Sequence, residues 1–374
     1  MRIAFLYIAE AYQCYHSAAT AFELATRHNV EVHNFYNDPE TPRHLERIRQ
    51  ALNGPVLPAE RLRRSWPTRA MQSIRILGMF KDMVMWDNRK RLDQYDAIFA
   101  VENSVASLRR MGVRRPKLIY TPHGFGDRAR GYIKRIATFD FVPLAGQKTA
   151  DRMLAQGLVR PGDYALTGYV KMETARALAA SVGDMFAERR PIVLYNPHKA
   201  PELESWSTFI EPMLRDFAAQ EEYNLLVAPH VKMFRRRSDK VRQRWEARSA
   251  DRIIVDTGSD RSVDTSYTAA ADIYIGDISS QVYEFLAEPR PCIFLNPKKI
   301  DWKNDLSFRH WHLGDVVDDP ADLMEAVRAA PERHRAVYKT RQEELAASTL
   351  GDRSPGAAAR TADAVMEFMR RGSA

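Results

Sequence analysis

The chain has 374 residues, 45% hydrophobic and 28% charged, which excludes extended disorder and exceeds one comfortable hydrophobic core, so two domains are expected. Its two cysteines, Cys14 and Cys292, form no paired motif, which argues against a disulfide framework or a cysteine zinc site and suits a reducing compartment. A net charge of +8 implies an anionic partner: nucleotide phosphate, acidic lipid, anionic polymer or nucleic acid.

In chain order, RIAFLYI at 2–8 reads as a first buried strand rather than a signal peptide, because polar residues follow at once. A helix is predicted near 15–27, a strand over VEVHNFY at 30–36 and a helix near 41–52. Residues 58–91 then mix Met71, Ile74, Met79, Phe80, Val84 and Trp86 with arginines and lysines. Two readings fit this stretch: a core or dimer helix with a cationic outer face, or a basic amphipathic helix lying in a lipid interface. Strands follow at AIFAVE (97–102), KLIYTPHG (117–124) and FVPLAG (141–146). Residues 169–190 are helical without a strand and mark a boundary. The alternation resumes with PIVLYNP (191–197), NLLVAPH (224–230), RIIVDT (252–257), ADIYIGD (271–277) and PCIFLNP (291–297).

Strands alternating with helices predict parallel sheets covered on both faces. The expected division is 1–172, 188–350, and a helical 351–374 that crosses back to the first domain. No segment reaches the roughly 18–20 apolar residues of a membrane span. No helix-turn-helix, RNA-binding or zinc-finger pattern supports nucleic acid as the partner.

Ligands of open parallel sheets bind beyond the carboxyl ends of the strands, so the residues after 120, 146, 197, 230, 258 and 277 are expected to line one interdomain cleft. In ADIYIGDISSQVYEF a strand ends at Gly276 and Asp277, and Ser279 and Ser280 open a helix that carries Glu284 one turn on. Such a turn is either an anion site made of backbone N–H groups and hydroxyls or an ordinary helix cap. His123, before Gly124 in TPHGFGDR, is a candidate base at a strand end or a plain turn histidine. Asn196, His198 and Lys199 after one strand, and His230 and Lys232 after the next, stand at such strand ends. His310 and His312 in FRHWHLGD have the spacing of a strand-borne metal pair but no clustered partner, so no metal is expected. The basic run Arg235–Arg237 suits a solvated face or an anionic acceptor.

Taken in order, these segments resemble the CDP-glycerol glycerophosphotransferase family, the teichoic acid primases and polymerases. The resemblance covers roughly residues 115–300 and implies a GT-B fold, two facing Rossmann-like α/β domains. It assigns the pyrophosphate and ribose of a CDP-linked donor to Ser279, Ser280 and Glu284, further donor-phosphate contacts to Asn196, His198 and Lys199, the base to His123, and a second functional histidine to His230. Departures are Val170 and Lys171 for a Pro-Arg pair, and Val231 for a proline, with Lys232 supplying charge where an arginine is missing. It implies transfer of a polyol phosphate to a lipid-linked or glycan acceptor by a cytoplasmic enzyme peripheral to the membrane and needing no cofactor. A GT-B glycosyltransferase using a UDP- or GDP-sugar, and a silent binding protein of the same fold, share most of these features.

Overall fold

Runs of β-branched and aromatic residues with no polar alternation fold into strands buried on both faces, and the helices between them force those strands parallel. The computed structural model describes residues 1–74, 77–124, 132–200, 203–278 and 281–371, with side chains described outside 72–78 and 306. The chain divides into two units: Met1–Thr174 with Ser348–Ala374, and Ala175–Ala347.

The first unit holds β1 (Arg2–Tyr7), β2 (Glu31–Tyr36), β3 (Ala59–Arg61), β4 (Ala97–Ala100) and β5 (Lys117–Tyr120) in one parallel sheet ordered β3-β2-β1-β4-β5. A small parallel pair, β6 (Val142–Leu144) and β7 (Tyr164–Leu166), adjoins it through the bridge Ile119–Phe141. Ile3, Phe5 and Tyr7 of β1 pack with Val365, Met366 and Met369 of the helix Ala357–Arg371. Ala4 and Leu6, on the opposite face, pack with Val84 and Met85 of the helix Leu77–Leu92. At Gly351 the chain passes against β6's end with φ +62°, and a Cβ there would sit 2.2 Å from the Ala145 carbonyl oxygen, so only glycine fits.

The second unit has β8 (Ile192–Asn196), β9 (Asn224–Val227), β10 (Ile253–Val255), β11 (Ile273–Gly276), β12 (Cys292–Leu295) and β13 (Asp315–Val317), all parallel, ordered β10-β9-β8-β11-β12-β13. This is the doubly wound order, and the strand sequence reverses between β8 and β11, where such sheets open a crevice for ligands. Phe209, Met213 and Phe217 of the helix Trp206–Ala218 cover one face. A buried arginine fastens the β11–β12 connection: the Arg290 guanidinium donates to the carbonyls of Thr268 and Ala269 at 3.0 Å each, Ala271 at 2.5 Å and Phe285 at 3.0 Å. It thereby satisfies the carbonyls that the helix Ser266–Ala270 leaves open at its end.

The expected α/β class with parallel sheets is what the chain adopts. Three strands went unread, and each is a three-residue strand; β3 and β13 are sheet edges, where strands are short and often polar. In the stretch 58–91, β3 comes first and the helix expected near 69–91 is described over Trp66–Ile74 and Leu77–Leu92, residues 75–76 lying outside the described residues. No helix among the described residues is long and apolar enough to cross a membrane.

Candidate functional site

In the second unit the switch point brings three loops together. His198 and Lys199 follow β8, His230 and Lys232 follow β9, and Asp277 follows β11. Gly276 must be small: a Cβ there would lie 2.5 Å from Tyr274 Oη. That hydroxyl donates to Asn196 Oδ1 at 3.3 Å while Asn196 Nδ2 donates to the Ala228 carbonyl at 2.6 Å, which ties the ends of β8, β9 and β11.

Asp277 is the hub. It is 1% exposed, and its carboxylate accepts from the N–H of His198 at 2.8 Å, of Ile278 at 2.6 Å and of Ser205 at 3.0 Å, and from the Ser205 hydroxyl at 3.0 Å. Burial pushes its carboxyl up to about 6 against the pull of those donors. Its backbone carbonyl accepts from Trp311 Nε1 at 2.7 Å and pairs with His310 Nε2 at 3.1 Å. The FRHWH segment lies in 3-10 turns kinked at Phe308, within Leu306–Leu313, and clamps this turn, whereas His312 reaches the Lys303 carbonyl. His310 and His312 therefore stand in 3-10 turns and not on a strand, and their imidazoles go to different backbone carbonyls.

His198 and His230 meet edge to face, ring centroids 5.4 Å apart. Each ring's Nδ1 accepts a backbone N–H two residues on: Ala200 for His198 and Lys232 for His230, both at 3.2 Å. A neutral imidazole with Nδ1 used as acceptor carries its proton on Nε2, so both rings present a donor. Burial, then the charges of His198, Lys232 and Lys199, push His230 down to about 4, so it is neutral at ordinary pH. Lys199 and Lys232 are exposed beside the pair.

Glu284 is buried and accepts from the Thr265 hydroxyl at 3.0 Å, Thr265 itself being held at φ +70°. The helix expected to begin at Ser279 is a four-residue turn, Val282–Phe285, too short to carry the end charge of a longer helix. Ser279 and Ser280 lie outside the described residues. Asp264, wholly buried, accepts from the Ser266 N–H at 2.8 Å and closes the same loop.

In the first unit His123 is exposed at the end of β5 and is wired the opposite way. Its Nδ1 lies 3.0 Å from the Val101 carbonyl oxygen, which only accepts; Nδ1 therefore carries a proton, and in the neutral ring Nε2 offers the lone pair. A Cβ on Gly124 beside it would meet no atom of the described residues within 4 Å. Around His123 stand groups that sequence reasoning did not single out. His16 packs its ring 6.1 Å away, edge on, and its Nδ1 lies 3.4 Å from Tyr169 Oη. Burial first, then Lys171 and His123, hold His16 well below the usual imidazole range and so neutral. The segment with Val170 and Lys171 in place of Pro-Arg thus reaches the histidine cluster through Tyr169 and Lys171. Glu102 accepts from Gln13 Nε2 at 3.2 Å and pairs with Lys81 Nζ at 3.4 Å. Burial raises its carboxyl, but Lys81, Gln13 and His123 outweigh that and hold it low. His16 and Glu102 follow β1 and β4. Applying the carboxyl-end rule to those strands, as it was applied to β5, finds both.

Residues 187–347 match the family described as CDP-glycerol:poly(glycerophosphate) glycerophosphotransferase, the family whose motifs the sequence resembles. A variant of the wall teichoic acid polymerase TagF soaked with CDPG is similar in structure, with TM-score 0.68 and 12% identity over 100% of this chain and 89% of that one. TagF without that soak gives 0.67 at 11% identity, covering 99% of this chain and 90% of that one. The UDP-GlcNAc 2-epimerase of Methanocaldococcus jannaschii gives 0.63 at 10% identity, covering 99% of this chain and 100% of that one. These likenesses show the fold, that of the GT-B class. No curated protein matches the chain.

Proposed function

We propose that the protein transfers a glycerol-phosphate-type group from a CDP-linked donor to a hydroxyl of a lipid-linked or glycan acceptor in cell-envelope polymer synthesis. The observation that carries this reading is the opposite wiring of the histidines: His198 and His230 are donors at Nε2, whereas His123 is an acceptor there. The family match of residues 187–347 supports the CDP-linked donor.

In the proposed reaction the acceptor oxygen attacks the distal phosphorus of the donor. The bond from that phosphorus to the bridging oxygen breaks, and CMP leaves with that oxygen. His123 Nε2 takes the hydroxyl proton. His198 and His230 donate to phosphoryl oxygens, Lys199 and Lys232 offset the charge, and Ser279 and Ser280 hold the diphosphate. Asn196, Asp277 and Glu284 act from within, because the side-chain bonds described above hold their loops in place. Gly124 puts no side chain beside His123. In this reaction protein groups supply all the positive charge, and no cofactor takes part.

Work at the inner face of the membrane is part of the same reading. Trp66 and Trp86 are 81% and 51% exposed, beside the exposed Arg61, Arg63 and Arg69, and the Arg89 guanidinium stacks 3.7 Å over the Trp86 ring. Indoles with cations suit an anionic lipid interface.

A thermal-shift panel tests the donor, since a ligand that binds only the folded protein raises its melting temperature. CDP and CDP-glycerol are expected to stabilise the protein, with CMP released when an acceptor is added. Stabilisation by UDP- or GDP-sugars alone, without CMP release, overturns the proposal.

A further inference from the structure

A pocket of about 330 Å³ opens at the amino ends of β8 and β9, at the edge of the second sheet opposite to His198, His230 and Asp277. β8 has five residues, so roughly 15 Å of strand separates the two ends. The apolar walls are Ala179, Ala180, Ile192 and Ala270, and the polar ones Arg189, Arg190 and Asn224. Ile192 and Asn224 are register partners at the starts of their strands.

The polar groups are unevenly used. Asn224 is 0% exposed; its Nδ2 donates to the Glu188 carbonyl at 2.8 Å, but its Oδ1 has no partner among the described residues. Arg190 donates from Nη2 to the Glu188 carboxylate at 2.5 Å, while its buried Nε has no partner among those residues. Arg189 pairs with Asp184, and both side chains are largely exposed. Ion pairs at the solvent boundary are weak and readily exchanged. A buried acceptor lacking a donor and a buried donor lacking an acceptor, in one pocket, are a cost that a ligand carrying both complements would relieve.

We propose that this pocket binds a sugar or polyol monophosphate. Its phosphoryl oxygens take the guanidinium groups of Arg189 and Arg190, displacing the Asp184 and Glu188 carboxylates, and a hydroxyl donates to Asn224 Oδ1. Arginine's planar fork suits a phosphate with several oxygens. The volume lies near the small end of ligand pockets, about 300–1,000 Å³, as a single monosaccharide requires. A ligand at the amino ends of the strands does not meet the groups at their carboxyl ends, so it is an effector and not a reactant.

Calorimetric titration of the full chain with glucose 6-phosphate, glucose and inorganic phosphate tests this. Glucose 6-phosphate is expected to bind at least about tenfold more tightly than either fragment, and equally well when CMP is present in excess. Arg189→Ala, at an exposed position, is expected to weaken that binding at least about fivefold without changing the melting temperature of the unliganded protein. Arg190→Met is expected to weaken it further. No binding up to about 10 mM, displacement by CMP, or binding indifferent to both substitutions overturns the proposal.

Discussion

The rings of His198 and His230 stand edge to face at 5.4 Å, and each has its Nδ1 occupied by the peptide N–H two residues further on. Two loops from neighbouring strands therefore repeat one local device, and it fixes which nitrogen each imidazole shows. Removing such a donor from a phosphoryl site costs about 100-fold or more in kcat. His230→Phe is expected to show that loss in steady-state CMP release, with no dependence of the wild-type rate on His230 ionisation between about pH 5 and 8.

Stability should carry the mark of the same pair of loops. His230 is lowered in the folded state from the usual 6.5 to about 4, so its contribution is complete above pH 6.5 and is lost as pH falls through 4. Asp277 is raised from 3.8 to about 6, so its contribution is complete below pH 3.8 and is lost as pH rises through 6. The two slopes oppose each other between pH 4 and 6. Urea unfolding across that window is expected to give a steeper fall of stability with rising pH in His230→Gln than in the wild type, because only the Asp277 slope remains.

Asp277→Asn places an amide against a shell of N–H and O–H donors. One of its two polar ends then faces donors with a donor, which is expected to cost about 2–4 kcal/mol in urea unfolding and to abolish CMP release. Arg290→Met keeps the stem but leaves the carbonyls of Thr268, Ala269, Ala271 and Phe285 without that donor. A loss of about 2–4 kcal/mol is expected there too, again read from urea unfolding.

The parallel sheets were legible because buried strands such as IVLYN and NLLV are apolar without interruption and are flanked by turn residues. Two edge strands, β3 and β13, were not legible, unlike the apolar edges β5 and β10: β3 is the exposed Ala-Glu-Arg, and nothing in its composition distinguishes it from a loop. At the site, residue types at strand ends pointed to His123, His198 and His230, but not to the direction of their hydrogen bonds, which backbone groups set. The role of Trp311 was hidden because a tryptophan in a polar stretch reads as packing, whereas its indole N–H holds the Asp277 carbonyl. Lys81 was not singled out among the lysines and arginines of 58–91, yet it turns to Glu102.

The exposed indoles give a prediction independent of the chemistry. Trp66→Ser with Trp86→Ser is expected to lower binding to vesicles containing anionic lipid at least about tenfold in a flotation assay, with little change in melting temperature, because both rings are exposed.

The most direct test is CMP release from CDP-glycerol by His123→Asn, measured beside the variant's affinity for CDP-glycerol. The account predicts unchanged affinity and a rate lower by about 100-fold or more, since a positioned base contributes that much. A rate equal to the wild type's would contradict it.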